Sequence, residues 1–187
     1  MSPARSRLLL ADSSVLFRFF AAGTNVVEAL MDAVGDRIFI VFDVKVEIDR
    51  HAGDAEFREG IRQFLESLEN EPIVLPDEVR EQVRRVLEVT RKYGHRNEDL
   101  GETATVLYAR SRVRAGEDWL VLVGDRFGIS LAECGEPIVP YMNTTDVVVE
   151  LARQGALSQD QAEAVWVAVH GVESESALRE KLGRPDH

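Results

Sequence analysis

Short apolar runs alternate with stretches of helical periodicity along most of the chain. Residues 7–11 (RLLLA), 38–42 (IFIVF) and 119–123 (WLVLV) are apolar runs of strand length. Runs this short fit strands buried on both faces of a parallel sheet. After the first run, Ser13 or Ser14 is positioned to cap a helix carrying Val15, Leu16, Phe19 and Phe20. A Gly-Thr-Asn break at 23–25 precedes a second amphipathic stretch with Val26, Val27, Leu30, Met31 and Val34 on one side. Asp43 is placed to cap a helix holding Val44, Glu47 and Ile48, and residues 55–69 predict another. Pro72 and Pro76 bracket a short strand, Ile73 to Leu75, and a long helix runs from about Asp77 to Tyr93. Residues 99–112 predict a helix with an acidic start. A Gly-Glu-Pro turn at 135–137 leads into a last strand at 138–141.

Strands alternating with helices are the signature of an α/β fold with a parallel sheet. From about Thr144 only helices are predicted. Val147, Val148, Leu151 and Ala152 mark one, closed by Gly155, and Ser158 with Gln161 forms a capping box for the next. That helix carries Ala162, Val165, Trp166 and Val169. Trp166 there either fills the core or anchors a homodimer or antitoxin contact. Ser174 or Ser176 is placed to cap a short last helix ending at Gly183.

Composition narrows the class. At 187 residues with 45% hydrophobic positions, the chain is one domain, or one with an appendage, with a core that needs no disulfide. Its one cysteine, Cys134, excludes an internal disulfide, and four histidines make a His-rich metal site improbable. The net charge of −11 argues against a wide basic nucleic-acid surface. It does not exclude an enzyme that meets phosphates through bound metal, whose charge the sequence count omits. The apolar run after Arg7 is too short for a signal peptide and no membrane span is found, so the chain reads as cytoplasmic.

The acids fall at strand ends. Asp12 follows the first strand, Asp43 the second, and Asp125 the run at 119–123; Glu47 lies one helical turn beyond Asp43, and Asp99 and Glu102 open a helix. Ligands of open parallel sheets bind at the carboxyl ends of the strands. Carboxylates gathered there repel one another, and hard divalent cations such as Mg²⁺ or Mn²⁺ are their natural partners. Singly, Asp43 and Asp99 read as helix caps, Glu47 as a solvated helix residue and Glu102 as a helix-dipole partner.

Four segments in this order resemble the acidic motifs of the PIN-domain family: LLLADSSVL at 8–16, DVKVEI at 43–48, DLGETATVLYA at 99–109 and LVGDRFG at 122–128. The gaps between the four acids are 35, 55 and 23 residues. The resemblance implies a three-layer α/β/α sandwich with a mainly parallel central sheet over residues 1–157, with 158–187 a C-terminal helical extension packed on it. It further implies a Mg²⁺- or Mn²⁺-dependent endoribonuclease of VapC-like type, with Asp12, Glu47, Glu102 and Asp125 as catalytic metal ligands and Asp99 as a candidate extra ligand. RNA is then the substrate, with Arg126 the basic residue best placed to meet its phosphate. An antitoxin protein and a second copy of the chain are candidate partners. Val123 and the Arg126-Phe127-Gly128 segment depart from the family pattern. The alternative is therefore a catalytically inactive PIN-fold binding or assembly module. A haloacid-dehalogenase-like phosphatase needs an acid where Ser14 stands, and a response-regulator receiver needs a rim lysine that is absent between Lys92 and Lys181.

Overall fold

A computed structural model describes residues 7–92 and 100–171, together with Leu178 and Leu182. Four strands, β1 (Leu8–Ala11), β2 (Ile38–Phe39), β3 (Trp119–Leu122) and β4 (Tyr141–Met142), form one parallel sheet in the order β2-β1-β3-β4. Leu8 to Ala11 pair in register with Trp119 to Leu122. Leu9 and Leu10 pair with Ile38 and Phe39, and Val121 and Leu122 with Tyr141 and Met142. The chain leaves β1 toward β2 and crosses back to β3 on the other side. The carboxyl ends of β1 and β3 thus form a topological switch point, where open α/β sheets bind ligands.

Among the described residues nine helices connect and flank these strands: α1 (Ser13–Ala22), α2 (Thr24–Val34), α3 (Phe42–His51), α4 (Arg58–Ser67), α5 (Asp77–Lys92), α6 (Leu100–Arg114), α7 (Arg126–Glu133), α8 (Thr144–Arg153) and α9 (Gln159–His170). Helices lie on both faces of the sheet. Tyr108 of α6 meets Trp119 edge-on, with ring centroids 5.8 Å apart, and Phe39 stacks beside Trp119 on the same face. On the opposite face Leu30 and Val34 of α2 and Val147 and Leu151 of α8 border a groove floored by Leu9, Leu120 and Leu122. Helix α6 is buried along most of its length, from Gly101 to Leu107 and again at Ala109. Apolar residues around an entire helix mark a position inside the core, and α6 packs between the sheet and α5.

Several local expectations are corrected. The run at 38–42 is paired as a strand only at Ile38 and Phe39, and Val41 forms an isolated parallel bridge with Ile73. The expected strand over Ile73 to Leu75 is reduced to that bridge, with the Phe42 amide donating to Ile73 O and the Ile73 amide to Ile40 O. Pro72 and Pro76 lack the N–H groups a longer ladder needs, and Val74 is exposed. That bridging draws the start of α3 back to Phe42, so Val41 occupies the N-cap position and Asp43 lies within the first turn. The cap of α1 is Asp12 rather than a serine. The last strand forms at Tyr141–Met142, later than 138–141.

The two expected capping features of the tail are present. Ser158 and Gln161 form a reciprocal capping box at α9, and Gly155 follows α8 at φ +73°. Helix α9 packs against α1 and α8, where Arg18 Nη1 donates to Ala168 O at 2.8 Å and Gln161 Nε2 donates to Asn25 O at 2.8 Å. Trp166 is buried in the core, so it does not offer the surface anchor that a dimer or antitoxin contact would use. Leu178 is fully buried as well, while Ser174, Ser176 and Gly183 lie outside the described residues. No helix among the described residues is long and apolar enough to cross a membrane.

Close helix packing sets one test. A Cβ at Gly60 of α4 would stand 2.7 Å from Phe20 Cα of α1, whereas one at Gly53 would meet nothing within 4 Å. Gly60→Ala is expected to destabilise the fold by about 1–3 kcal/mol, and Gly53→Ala to leave the urea midpoint nearly unchanged. Equal midpoints for the two variants would contradict this packing.

Candidate active site

Asp12 leaves β1 at the switch point and turns the chain into α1. Its amide donates to Leu122 O, which ties it to the neighbouring strand. Its Oδ2 accepts from the Ser14 amide at 3.0 Å and from Ser14 Oγ at 2.5 Å. The other oxygen, Oδ1, is buried and has no hydrogen-bond partner among the described residues. Asp12 is only 2% exposed. Burial raises its pKa from the ordinary 3.8 to about 6, against the lowering effect of the Ser14 bonds; the nearby Glu47 charge adds to the rise.

Glu47, on α3, is half-buried. Ser13 Oγ donates to its Oε2 at 2.6 Å, and the Gly101 amide donates to its Oε1 at 3.1 Å. Desolvation pushes its pKa up; these two bonds and the Arg50 charge oppose that, while Asp43 reinforces it. The bond from Gly101 joins α3 to the start of α6, where Glu102 is the next residue. Glu102 is 4% exposed and lies directly against the backbone of Gly128, where a Cβ would overlap its carboxylate. A Cβ at Gly101 would likewise stand 2.7 Å from Glu47 Oε2. These two glycines leave room for the carboxylates, which a Cβ at either position would have to displace.

Asp125 is exposed and caps α7, its Oδ1 accepting from the amides of Phe127 and Gly128 at 2.8 and 3.0 Å. It is joined to Asp12 through Ser14, whose Oγ accepts from the Gly124 amide at 3.0 Å while donating to Asp12. The four acids therefore belong to one ring of contacts. Asp12 connects through Ser14 and Gly124 to Asp125, Asp125 through Gly128 to Glu102, and Glu102 through Gly101 to Glu47. Ser13 then links Glu47 back to the residue beside Asp12. Arg126 is exposed in the first turn of α7 next to Asp125. Asp99 lies outside the described residues.

Two features qualify the chemistry of this ring. Asp125 and Asp12 both serve as helix N-caps, a structural role that accounts for part of their placement. Among the described residues no group of three or more His, Cys, Asp or Glu side chains is arranged to hold a metal ion. Glu47 and Asp125 both accept hydrogen bonds from protein donors. Sequence reasoning treated Ser13 and Ser14 only as helix caps and passed over Gly101 and Gly128. A small or hydroxylated residue beside each acid was the available signal. No family model, curated protein or solved structure matches the chain.

The raised pKa of Asp12 has a defined effect on stability. Below about pH 4 the folded and unfolded chains both hold the proton. Between about pH 4 and 6 the folded chain keeps it and the unfolded chain releases it, so stability falls as pH rises through this window. Asn retains the capping acceptor without the charge. In chelator, Asp12→Asn is expected to stabilise the protein by about 1–3 kcal/mol at pH 8, with the gain shrinking toward pH 4. Urea unfolding at both pH values tests this; a loss of stability at pH 8 would contradict it.

Proposed function

We propose that this protein is a divalent-cation-dependent endoribonuclease of PIN-like, three-layer α/β/α architecture, with Asp12, Glu47, Glu102 and Asp125 as its working acids. The observation that carries the reading is the Asp12 carboxylate. It is buried at the switch point with Oδ1 lacking a hydrogen-bond partner among the described residues, and the Glu47 charge raises its pKa further. A fold has little reason to keep such a charge unless something compensates it. The donor set is all carboxylate oxygen, which fits Mg²⁺ or Mn²⁺. Asp12 would be the central ligand, with Glu102 and Asp125 beside it and Glu47 completing the set. When bound, such an ion offsets charge on a phosphate and lowers the pKa of a water. Ser13 and Ser14 orient Glu47 and Asp12, and Arg126 stands where a substrate phosphate would meet it.

A second reading, a non-catalytic PIN-like binding or assembly module, draws support from Asp125, which is exposed and accepts two amides as a plain helix cap. Cleavage separates the two. Purified protein with Mn²⁺ is expected to cut single-stranded or structured RNA and to leave duplex DNA intact. Asp12→Asn and Glu102→Gln are expected to lower the rate at least about 100-fold, since even outer-shell changes at metal sites cost 10–100-fold. Circular dichroism establishes that each variant folds. Absence of cleavage by the wild type, or equal cleavage by folded Asp12→Asn, would leave the binding module as the better account. A toxin role predicts in addition that expression slows bacterial growth and that the same substitutions relieve it.

A further inference from the structure

Beside Glu47 a cleft of about 360 Å³ opens between α1, α3 and the start of α6, within the roughly 300–1,000 Å³ range of small-ligand sites. Ser13 and Glu47 line the end next to the acid ring, and Arg50 and His51 line it one turn further along α3. Residues three and four apart share a helix face, so Glu47, Arg50 and His51 project to the same side. Asp43 lines it as a second acid, and Phe17, Val46 and Leu100 supply apolar lining. The Phe17 ring is held by edge contact with His51 and by Phe57, at centroid distances of 5.0 and 5.1 Å. His51 Nδ1 pairs with Asp54 Oδ2 at 2.7 Å, which fixes the imidazole.

Arg50 differs from the other arginines that could serve RNA. On α5, Arg80 pairs with Asp77, and Arg84 and Arg85 both pair with Glu81. On α6, Arg110 donates to the carbonyls of Leu131, Cys134 and Pro137, Arg112 pairs with Glu117, and Arg114 donates to Glu136 O. Arg50 is exposed and lines the cleft, where its charge acts on Glu47. Its position follows from topology. Helix α3 follows β2 and α7 follows β3, and these strands flank β1 on opposite sides. Arg50 and Arg126 therefore stand on helices that follow the two strands flanking β1.

We propose that this cleft is a substrate subsite: Arg50, with His51 beside it, binds the backbone phosphate of a nucleotide flanking the cleavage point in single-stranded RNA, and that nucleotide's base rests on Phe17 and Leu100. The proposal rests on the nuclease reading and adds the path of the strand, from Arg126 across Asp12 to Arg50. Phosphate contacts position a strand without reading sequence, and an unstacked base on an aromatic ring favours single strands over duplex.

The test uses the full chain and a short fluorescein-labelled single-stranded RNA, with binding followed by anisotropy in chelator across a salt series and turnover measured with Mn²⁺. Arg50→Ala is expected to weaken binding and raise KM about tenfold, the size of one charge-assisted hydrogen bond. It should reduce the slope of log affinity against log salt by about one, with kcat nearly constant. Arg50→Lys should restore the salt slope, and Arg84→Ala should change nothing. Melting temperature should be equal in all three. If the wild type cleaves while Arg50→Ala keeps its KM and salt slope, or if duplex RNA binds as well as single-stranded RNA, the subsite is overturned and the nuclease reading survives. Binding that depends on Arg50 without any cleavage would overturn the nuclease reading and, with it, a subsite that flanks a cleavage point, leaving only a single-strand binding cleft. No binding to either strand form would overturn the subsite.

Discussion

Asp12 ends the central strand of a sheet whose neighbours on both sides are apolar, and it must turn the chain directly into a buried helix. A carboxylate in that position loses most of its water, and only one of its oxygens finds protein donors. The surrounding architecture answers to this constraint. Ser14 holds Oδ2 and reaches across to Gly124, joining the ends of β1 and β3. A Cβ at Gly124 would stand 2.5 Å from Ser14 Oγ and would displace the hydroxyl that joins the two strand ends. Ser13 and Gly101 hold Glu47 nearby, and Gly128 makes room for Glu102. Small residues and hydroxyls thus bring α1, α3, α6 and α7 to one rim and let acids occupy it.

The same rim explains how a strongly acidic chain could handle a polyanion. Most of the arginines on α5 and α6 are committed to neighbouring acids or backbone carbonyls, so the basic residues there form paired surfaces. Arg50 and Arg126 are the exceptions that flank the acid ring. In the proposed reading, an acidic centre with Arg50 and Arg126 near it would give a narrow path for one strand, in place of the broad basic groove that duplex binding requires. Under that proposal phosphate recognition would depend on a few contacts at the rim and not on net charge.

The α/β class was legible because the apolar runs at 8–11 and 119–122 are short and contiguous, the second buried throughout and the first half-buried at Leu8 and Leu9, and they alternate with helical stretches as a parallel sheet requires. Local detail failed where tertiary pairing overrode local pattern. IFIVF reads as one strand, yet pairing ends at Phe39 and a single bridge from Val41 to Ile73 resets the start of α3, which removes Asp43 from the capping position. The first serine cap failed because Asp12, one residue earlier, is a better-placed acceptor for the free amides of α1. Asp12 and Asp125 could be singled out because each follows a strand, and Glu102 because it opens a helix, whereas Glu47, in the middle of α3, stood out only through the resemblance of its segment to an acidic motif. Their links to one another could not, because the contacts run through Ser14 to Gly124 and Gly128 to Glu102, pairs far apart in sequence. The cleft at Arg50 was likewise invisible: a lone arginine on an amphipathic helix carries no signal until Phe17 and Leu100 are known to face it.

The central claim is that the buried acid at Asp12 is compensated by a cation. Calorimetric titration of the chelator-treated protein with Mn²⁺ addresses it directly, with Asp12→Asn and the distant Gly53→Ala as comparisons. The account predicts saturable binding to the wild type and to Gly53→Ala, strongly weakened in folded Asp12→Asn. Binding of equal strength in Asp12→Asn, or no binding to the wild type at millimolar Mn²⁺, would contradict it.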